Sequence, residues 1–365
     1  MRRSLANALI ASSLLAVPAA HAETSSWFKS VEVPKPPPGE KVQIKPQFKS
    51  EPTYQPPANT KAKSANKKKP EPKGLKKPIK TMVEATGDNA AYIAFDQGQY
   101  LTALKLAEAE AKNGSPEAHT LIGRICAEGL GVARDEKLAA KWYARGDELG
   151  DIQSTFALGL LYASGRGVKK DADKAAQLFE KAALTGHPEA NYNLGLLFLT
   201  GKGKPKNPYR ASQHIRYAAE KGIAAAQYDI GGLYQNGVGV PADALQASYW
   251  LKKAAEQGMA EAQFEYAVML LRGLGLTRDE PKAVPYLRSA AHKGLAAAQN
   301  RLAYVYAEGI GVKKSQTEAA KWRLIARAGG LEDKDADEIV QKLPKEQRTA
   351  AQKAAIEWRE NAGLF

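Results

Sequence analysis

Glycines that recur at a fixed step of 36 residues constrain this chain more than any other feature of its sequence. Three glycine columns run through six consecutive units without an insertion or a deletion. Their members are Gly129, Gly165, Gly201, Gly237, Gly273 and Gly309; Gly131, Gly167, Gly203, Gly239, Gly275 and Gly311; and Gly150, Gly186, Gly222, Gly258, Gly294 and Gly330. A period of this length is typical of stacked units that each contact only their neighbours. It favours a binding scaffold over an enzyme.

Within each unit, the residues predict two helices. Leu194, Leu197 and Phe198 have the i, i+3, i+4 spacing of an amphipathic first helix, and Gly201 supplies the left-handed residue that ends it. A column of good N-cap residues then begins a second helix: Asp135, Asp171, Asn207, Asp243, Asp279 and Ser315. The pattern predicts an all-α fold, an α-solenoid with a right-handed superhelix of helix–turn–helix repeats.

Small residues predict where the two helices of a unit approach each other. They share one first-helix position: Gly123, Gly159, Gly195, Gly231, Ala267 and Ala303. A mostly bulky column on the second helix supplies large residues: Trp142, Leu178, His214, Trp250, Tyr286 and Trp322. Pro285 lies inside one second helix, where it removes a backbone donor and favours a kink.

The order of residues in a unit, A-x-x-x-L-G-x-x-Y-x-x-G-x-G-V followed by Asp, Ala, Trp, Ala-Ala and Gly, resembles the Sel-one-like repeat family of the tetratricopeptide superfamily. The match is clearest from Ala226 to Val240 and from Leu158 to Asp171. It covers residues 116–330 as six repeats. The resemblance implies that partners bind on a concave surface lined by the first helices.

Sequence on either side of the six repeats is expected to complete the array. Residues 88–115 predict a degenerate first repeat. Ala103, Leu106, Ala107, Ala111 and Gly114 match the second-helix register, and residues 89–97 predict a short first helix that ends at Gly98. Residues 331–365 predict a helical cap with a break at Pro344. A solenoid needs such caps because its last apolar face is otherwise exposed to water.

Residues 1–22 are typical of a cleavable signal peptide. Arg2 and Arg3 precede an apolar stretch, and Ala20-His21-Ala22 has the small-x-small pattern of a cleavage site. No Cys follows at a lipoprotein position, and no later stretch of sequence has the length and hydrophobicity to span a membrane. We therefore expect a protein that is periplasmic or secreted after cleavage, and not transmembrane.

The segment 23–87 differs from the repeats in composition. It is rich in Pro, and residues 23–80 contain fourteen Lys against five Glu, so we expect this tail to be disordered. One hypothesis makes it a solubilising spacer. The other makes it an electrostatic attachment to anionic cell-wall polymer or lipid head groups. Nucleic acid also fits the charge, but the export signal argues against it.

No set of residues in the sequence predicts catalysis, a metal or a cofactor. The histidines of the predicted mature chain lie in different units, and Cys126 is the only cysteine. The repeated Gly-x-Gly lacks the Gly-Lys-Ser/Thr ending of a phosphate loop. Disulfide-stapled relatives in the resembling family, linked to β-lactams, have paired cysteines that this chain lacks. We therefore predict that the protein is not an enzyme.

The resemblance places candidate partner-binding residues on the first helices. A column that varies in residue type is the better candidate for specificity: Arg124, Leu160, Leu196, Gly232, Val268 and Tyr304. A neighbouring column contributes aromatic candidates: Tyr192, Tyr228 and Phe264. The aromatic residues equally suit packing between units.

Three functions remain open from the sequence. The first is a periplasmic protein–protein interaction scaffold or regulator, with an architecture similar to rhizobial exopolysaccharide-regulator proteins that restrain a membrane sensor kinase. The second is an envelope adaptor that holds an anionic cell-wall polymer with its tail. The third, an enzyme that acts on peptidoglycan or β-lactams, is the least favoured because no catalytic set is present.

Overall fold

The computed structural model of the protein describes residues 89–362. The predicted signal peptide, residues 1–22, and the predicted tail, residues 23–87, lie outside the described residues.

The described part of the chain is helical from end to end and contains no strand, which confirms the all-α prediction. Its sixteen helices are α1 (Ala90–Asp96), α2 (Tyr100–Lys112), α3 (Pro116–Glu128), α4 (Glu136–Glu148), α5 (Ile152–Ser164), α6 (Ala172–Leu184), α7 (Pro188–Thr200), α8 (Pro208–Glu220), α9 (Ala224–Asn236), α10 (Ala244–Glu256), α11 (Ala260–Arg272), α12 (Glu280–His292), α13 (Ala296–Glu308), α14 (Gln316–Ala328), α15 (Lys334–Gln341) and α16 (Lys345–Asn361).

Helices α3 to α14 form six units of two helices each, which we number one to six. The odd-numbered helices are the first helices of the units and the even-numbered ones are the second helices. Each of the twelve is 13 residues long. The short pair α1 and α2 precedes unit one, and α15 and α16 follow unit six.

The predicted caps are confirmed at both ends of the helices. All six predicted N-cap side chains accept a backbone amide of the second helix that they begin. The first helices end on glycines in the left-handed conformation, as at Gly201 with φ 74°. Pro285 does not interrupt α12, which keeps the same length as the other second helices.

The glycine inside each of the first four first helices marks a close helix contact, as predicted. A Cβ added at Gly123 would lie 2.6 Å from the Tyr143 ring, and one added at Gly231 would lie 2.8 Å from Leu251. The large residues that face these glycines lie one position after the bulky column expected from the sequence: Tyr143, Phe179, Ile215 and Leu251. Glycine is therefore required here by packing rather than by backbone conformation.

The second glycine of each Gly-x-Gly loop joins one unit to the unit before it. Gly239 has φ 71° and lies against the carbonyl of Pro208, in the first turn of the preceding second helix. Gly275 meets the carbonyl of Ala244 in the same way. The Ser212 hydroxyl donates to the Gly239 carbonyl over 3.1 Å and adds a polar contact at this junction. The loops thus bring the backbones of neighbouring units into direct contact.

Side-chain amides close the opposite ends of the second helices. Gln227, Gln263 and Gln299 each donate from Nε2 to a carbonyl of the preceding helix, eight residues earlier, over 3.0–3.2 Å. Those carbonyls belong to the last turn of a helix, where no backbone amide is available within the helix. Each also accepts the amide of the glycine that follows the helix, so the side-chain amide adds a second bond that ties the next first helix to this helix end.

The C-terminal cap depends on one buried arginine. Arg323 occupies the register position held by Leu251 in unit four, and it is 0% exposed. Its Nε donates to Asp337 of α15 over 2.8 Å, and its Nη1 donates to the Leu331 carbonyl over 3.0 Å. Trp358 of α16 packs edge-on against Trp322 at 5.6 Å. These contacts cover the last unit with polar and aromatic groups.

We expect Gly239→Ala to be much more destabilising than Gly222→Ala. Both glycines have positive φ, 71° and 94°, so both substitutions strain the backbone by about 1 kcal/mol. Only at Gly239 does the new methyl group also collide with a backbone carbonyl, whereas nothing lies within 4 Å at Gly222. Urea unfolding followed by circular dichroism should show an additional loss of about 2 kcal/mol or more at Gly239. Equal losses would contradict this account of the loop.

Candidate functional site

The candidate site is the outer surface of the six first helices, which we call the first-helix face. Both predicted columns belong to this face. Each column places one residue at the same register position of every first helix, which are α3, α5, α7, α9, α11 and α13. The structure gives the members of these columns different surroundings at the ends and in the middle of the array.

At both ends, flanking parts of the chain engage the predicted residues. Arg124 pairs with Glu128 over 3.0 Å, and its guanidinium lies over the Phe95 ring of α1 at 4.7 Å. Tyr304 donates to Asp333, the N-cap residue of α15, over 2.9 Å. These two residues therefore join the repeats to the flanking helices, and the middle of the face remains as the candidate surface.

The aromatic column changes its role along the array. The ring of Tyr192 is 5% exposed, and its hydroxyl donates to Asp229 of the next first helix over 2.8 Å. Burial, followed by the nearby Asp229 carboxylate, raises the pKa of Tyr192 well above its ordinary value. Tyr228 and Phe264 are half-buried at the edge of the core. Packing between units therefore accounts for Tyr192, whereas Tyr228 and Phe264 also contribute to the surface.

The varying column forms a shallow apolar strip in the middle of the face. Leu160 is 8% exposed and belongs to the core of unit two. Leu196 and Val268 are half-buried, with Gly232 between them in the order of the units. We take the surface from Leu196 to Val268 as the central part of the candidate site, and the binding role of the nine predicted residues remains a prediction.

Neither close packing nor backbone conformation in the described residues explains why Gly232 is a glycine. It lies inside α9, where glycine costs about 1 kcal/mol relative to alanine. Its φ is not positive, and a Cβ added there would meet no described atom within 4 Å. Its neighbour Gly231, in contrast, packs closely on Leu251. Gly232 therefore leaves its Cβ position open to the surface at the expense of helix stability.

A polar column beside this strip was not identified from the sequence. It consists of Asn193, Asp229, Glu265 and Arg301, which are all half-buried. The corresponding positions in units one and two are Leu121 and Ala157, which are buried. The change from apolar to polar residues along one register position was a signal that could have revealed it.

Glu265 and Arg301 are half-buried charges of opposite sign on neighbouring first helices. Neither forms a hydrogen bond or an ion pair with another residue in the range 89–362. Burial raises the pKa of the Glu265 carboxyl from 4.5 to about 7, although Arg272 and Arg301 oppose the shift. Burial also lowers the pKa of Arg301, and the like charge of Arg272 adds to that effect. Glu265 and Arg301 are therefore both partly desolvated, and they are not paired with each other.

The other groups with potential reactivity serve packing. His214 lies 2.9 Å from the Asn191 amide oxygen and stacks on Phe198 at 5.7 Å, and burial lowers its pKa. Cys126 is 5% exposed, and burial raises the pKa of its thiol, which disfavours the nucleophilic thiolate. Among residues 89–362, no group of three or more His, Cys, Asp or Glu is placed to hold a metal.

The model of the Sel1 repeat matches six consecutive segments that together exceed half of the chain: residues 116–151, 152–187, 188–223, 224–259, 260–295 and 296–330. The chain belongs to the Sel1 repeat family. Each segment begins at the first residue of a first helix. Proteins with Sel1 repeats are generally non-enzymatic scaffolds that bind protein partners.

Solved structures of other Sel1 repeat proteins resemble this one. A Sel1 repeat protein from Oxalobacter formigenes is 30% identical, with a TM-score of 0.58, over 68% of this chain and 99% of that chain. The protective antigen c5321 of uropathogenic Escherichia coli, which displays an SLR fold, is 26% identical, with a TM-score of 0.49, over 74% of this chain and 71% of that chain. A search of curated proteins gave no match.

We expect Glu265→Gln to raise stability in a manner that depends on pH. The folded protein holds the Glu265 proton more tightly than the unfolded chain does, so ionisation between pH 4.5 and 7 disfavours folding. The complete shift corresponds to ~3 kcal/mol, and the partial exposure of the side chain reduces the expected difference to about 1 kcal/mol.

The measurement is the free energy of urea unfolding at pH 4 to 8. The advantage of Glu265→Gln over the wild type should grow from pH 4.5 to 7 and stay constant above that range. The matched control is Glu220→Gln on the exposed side of α8, which should show no such trend. A constant difference at every pH would contradict the proposed burial of the Glu265 charge.

Proposed function

We propose that this protein is an exported scaffold or regulator that binds a protein partner on the central part of its first-helix face. The observation that carries the proposal is Gly232, which weakens its own helix and has open space where a side chain would begin. Glycine at this position contributes little to the fold, and it permits the close approach of a partner. Half-buried Leu196 and Val268 provide apolar contact area beside it.

The location we propose is the periplasm. Its support is the sequence of the first 22 residues, with Arg2 and Arg3 before an apolar stretch and small residues at the cleavage site. Among residues 89–362, no helix is both long and apolar enough to cross a membrane. A scaffold in that compartment is suited to modulating an envelope signalling or polysaccharide system, which is the finer function that we propose.

We expect Val268→Glu to abolish capture of the partner while the fold is retained. The full chain, with its own first 22 residues, is expressed in its source bacterium, crosslinked in the periplasm and purified. The new carboxylate should reduce the recovered partner at least tenfold because it places a charge on the apolar strip. Circular dichroism and the melting temperature verify that the variant is folded.

The matched control is Leu245→Glu. Leu245 lies on the second helix α10 and is 62% exposed, so the same change there should leave capture unchanged. Equal loss in both variants would refute a site on the first-helix face. Failure of the wild type to capture any protein, or its absence from the periplasm, would refute the scaffold proposal itself.

The second candidate function is an envelope adaptor, and the observation that favours it is the charge of residues 23–80. Fourteen Lys against five Glu give this segment a net charge of +9. We expect deletion of residues 23–80 to abolish co-sedimentation with purified cell wall and to leave capture of a protein partner intact. Co-sedimentation that survives the deletion would contradict the adaptor, and it would not affect the proposal for the first-helix face.

A further inference from the structure

Charge is segregated between the two sets of helices. The six first helices carry seven carboxylates against three arginines, a net charge of −4. The six second helices carry nine carboxylates against fourteen Lys and Arg, a net charge of +5. The first helices are therefore acidic as a set within a protein whose total charge is +14. An acidic face attracts basic partners and repels acidic ones.

The carboxylates along the array differ in their partners. At the N-terminal end, Glu128 is paired with Arg124. At the C-terminal end, Asp333 accepts from Tyr304 and from Asn300, over 2.9 and 2.7 Å. Between these ends Asp229 holds the hydroxyl of Tyr192, and Glu265 has no hydrogen bond or ion pair within the described residues.

The open position at Gly232 lies beside these central carboxylates. Gly232 follows Asp229 by three residues on α9, and Val268 follows Glu265 by three residues on α11. Residues three apart are neighbours on a helix surface. The two carboxylates and the apolar strip therefore form one patch, with the missing side chain of Gly232 at its centre.

On the basis of the proposed function, we propose that this patch binds an extended basic segment of the partner protein. The aliphatic stem of a Lys or Arg then lies over Gly232, and its charged end lies at Glu265 and Asp229. Long basic side chains combine such a stem with a cationic end. An ion pair formed on a half-buried carboxylate is stronger than one on an exposed surface, because the carboxylate is already partly desolvated.

Charged and titratable neighbours of Glu265 set the expected pH dependence. Those on α9, α11 and α13 are Tyr228, Asp229, Glu261, Arg272 and Arg301. The two arginines favour the ionised form of Glu265, and burial opposes it more strongly, which raises its pKa to about 7. A cationic ligand requires the ionised form, so affinity should increase between pH 6 and 8.

The test is selection of a random twelve-residue peptide library on the full mature chain. Peptides that also bind the Val268→Gln variant are discarded, so that ligands of other surfaces are removed without a new charge on the patch. The peptides that remain should be enriched in Lys and Arg. One of them, labelled with fluorescein, is then titrated by fluorescence anisotropy against the wild type and three variants.

Glu265→Gln should weaken that peptide about tenfold at pH 8 and abolish the dependence on pH. Gly232→Ala should weaken it while raising the melting temperature of the protein, an effect that general damage to the fold cannot produce. Glu220→Gln, on the opposite set of helices, should bind like the wild type.

Three results would overturn the inference. Enrichment of acidic peptides would assign recognition to Arg272 and Arg301 and would leave the proposed function intact. Equal affinity of the wild type and Glu265→Gln for a basic peptide would show that the ion pair does not contribute to binding. If no peptide distinguishes the wild type from Val268→Gln, the inference fails, and the crosslinking experiment decides the proposed function separately.

Discussion

Backbone-to-backbone contact between neighbouring units is the constraint on which the rest of the structure depends. In five of the six Gly-x-Gly loops, the second glycine lies against a carbonyl in the first turn of the preceding second helix, as Gly239 does at Pro208. Any side chain at that position would push the units apart. The spacing between units, and with it the spacing of every surface residue along the array, is therefore set by glycine.

This division of roles leaves the outer positions of the middle first helices with fewer packing requirements than the inner positions. Inner positions are occupied by glycines that face large side chains and by amides that satisfy helix ends, such as Gln263. Outer positions in the middle units carry half-buried groups such as Glu265 and Val268. A scaffold of this kind changes specificity at the outer positions while the inner ones preserve the fold.

The sequence predicted the fold to the level of individual caps, because a cap and a left-handed glycine are local features that recur at every step. Asp171 and Gly165 are recognisable without any knowledge of tertiary contacts. Arg323 was missed as the centre of the cap because its partners, Asp337 and the Leu331 carbonyl, lie in sequence that does not repeat.

The candidate site was predicted in part, for a related reason. The varying column that contains Gly232 was recognised, but the importance of the glycine depends on the empty space above it, which only the structure shows. The pairing of Tyr192 with Asp229 and the isolation of Glu265 depend on distances between neighbouring helices. The periodicity of the sequence does not determine those distances.

The contacts between units are also short in sequence. Among residues 89–362, the hydrogen bond between the most distant partners joins Tyr192 to Asp229, 37 residues apart. A chain with such local contacts can fold outward from any unit. Insertion of one additional 36-residue unit in the middle would preserve every junction and both ends. Duplication or loss of a unit can therefore change the length of the recognition surface in evolution while the contacts within and between the other units stay the same.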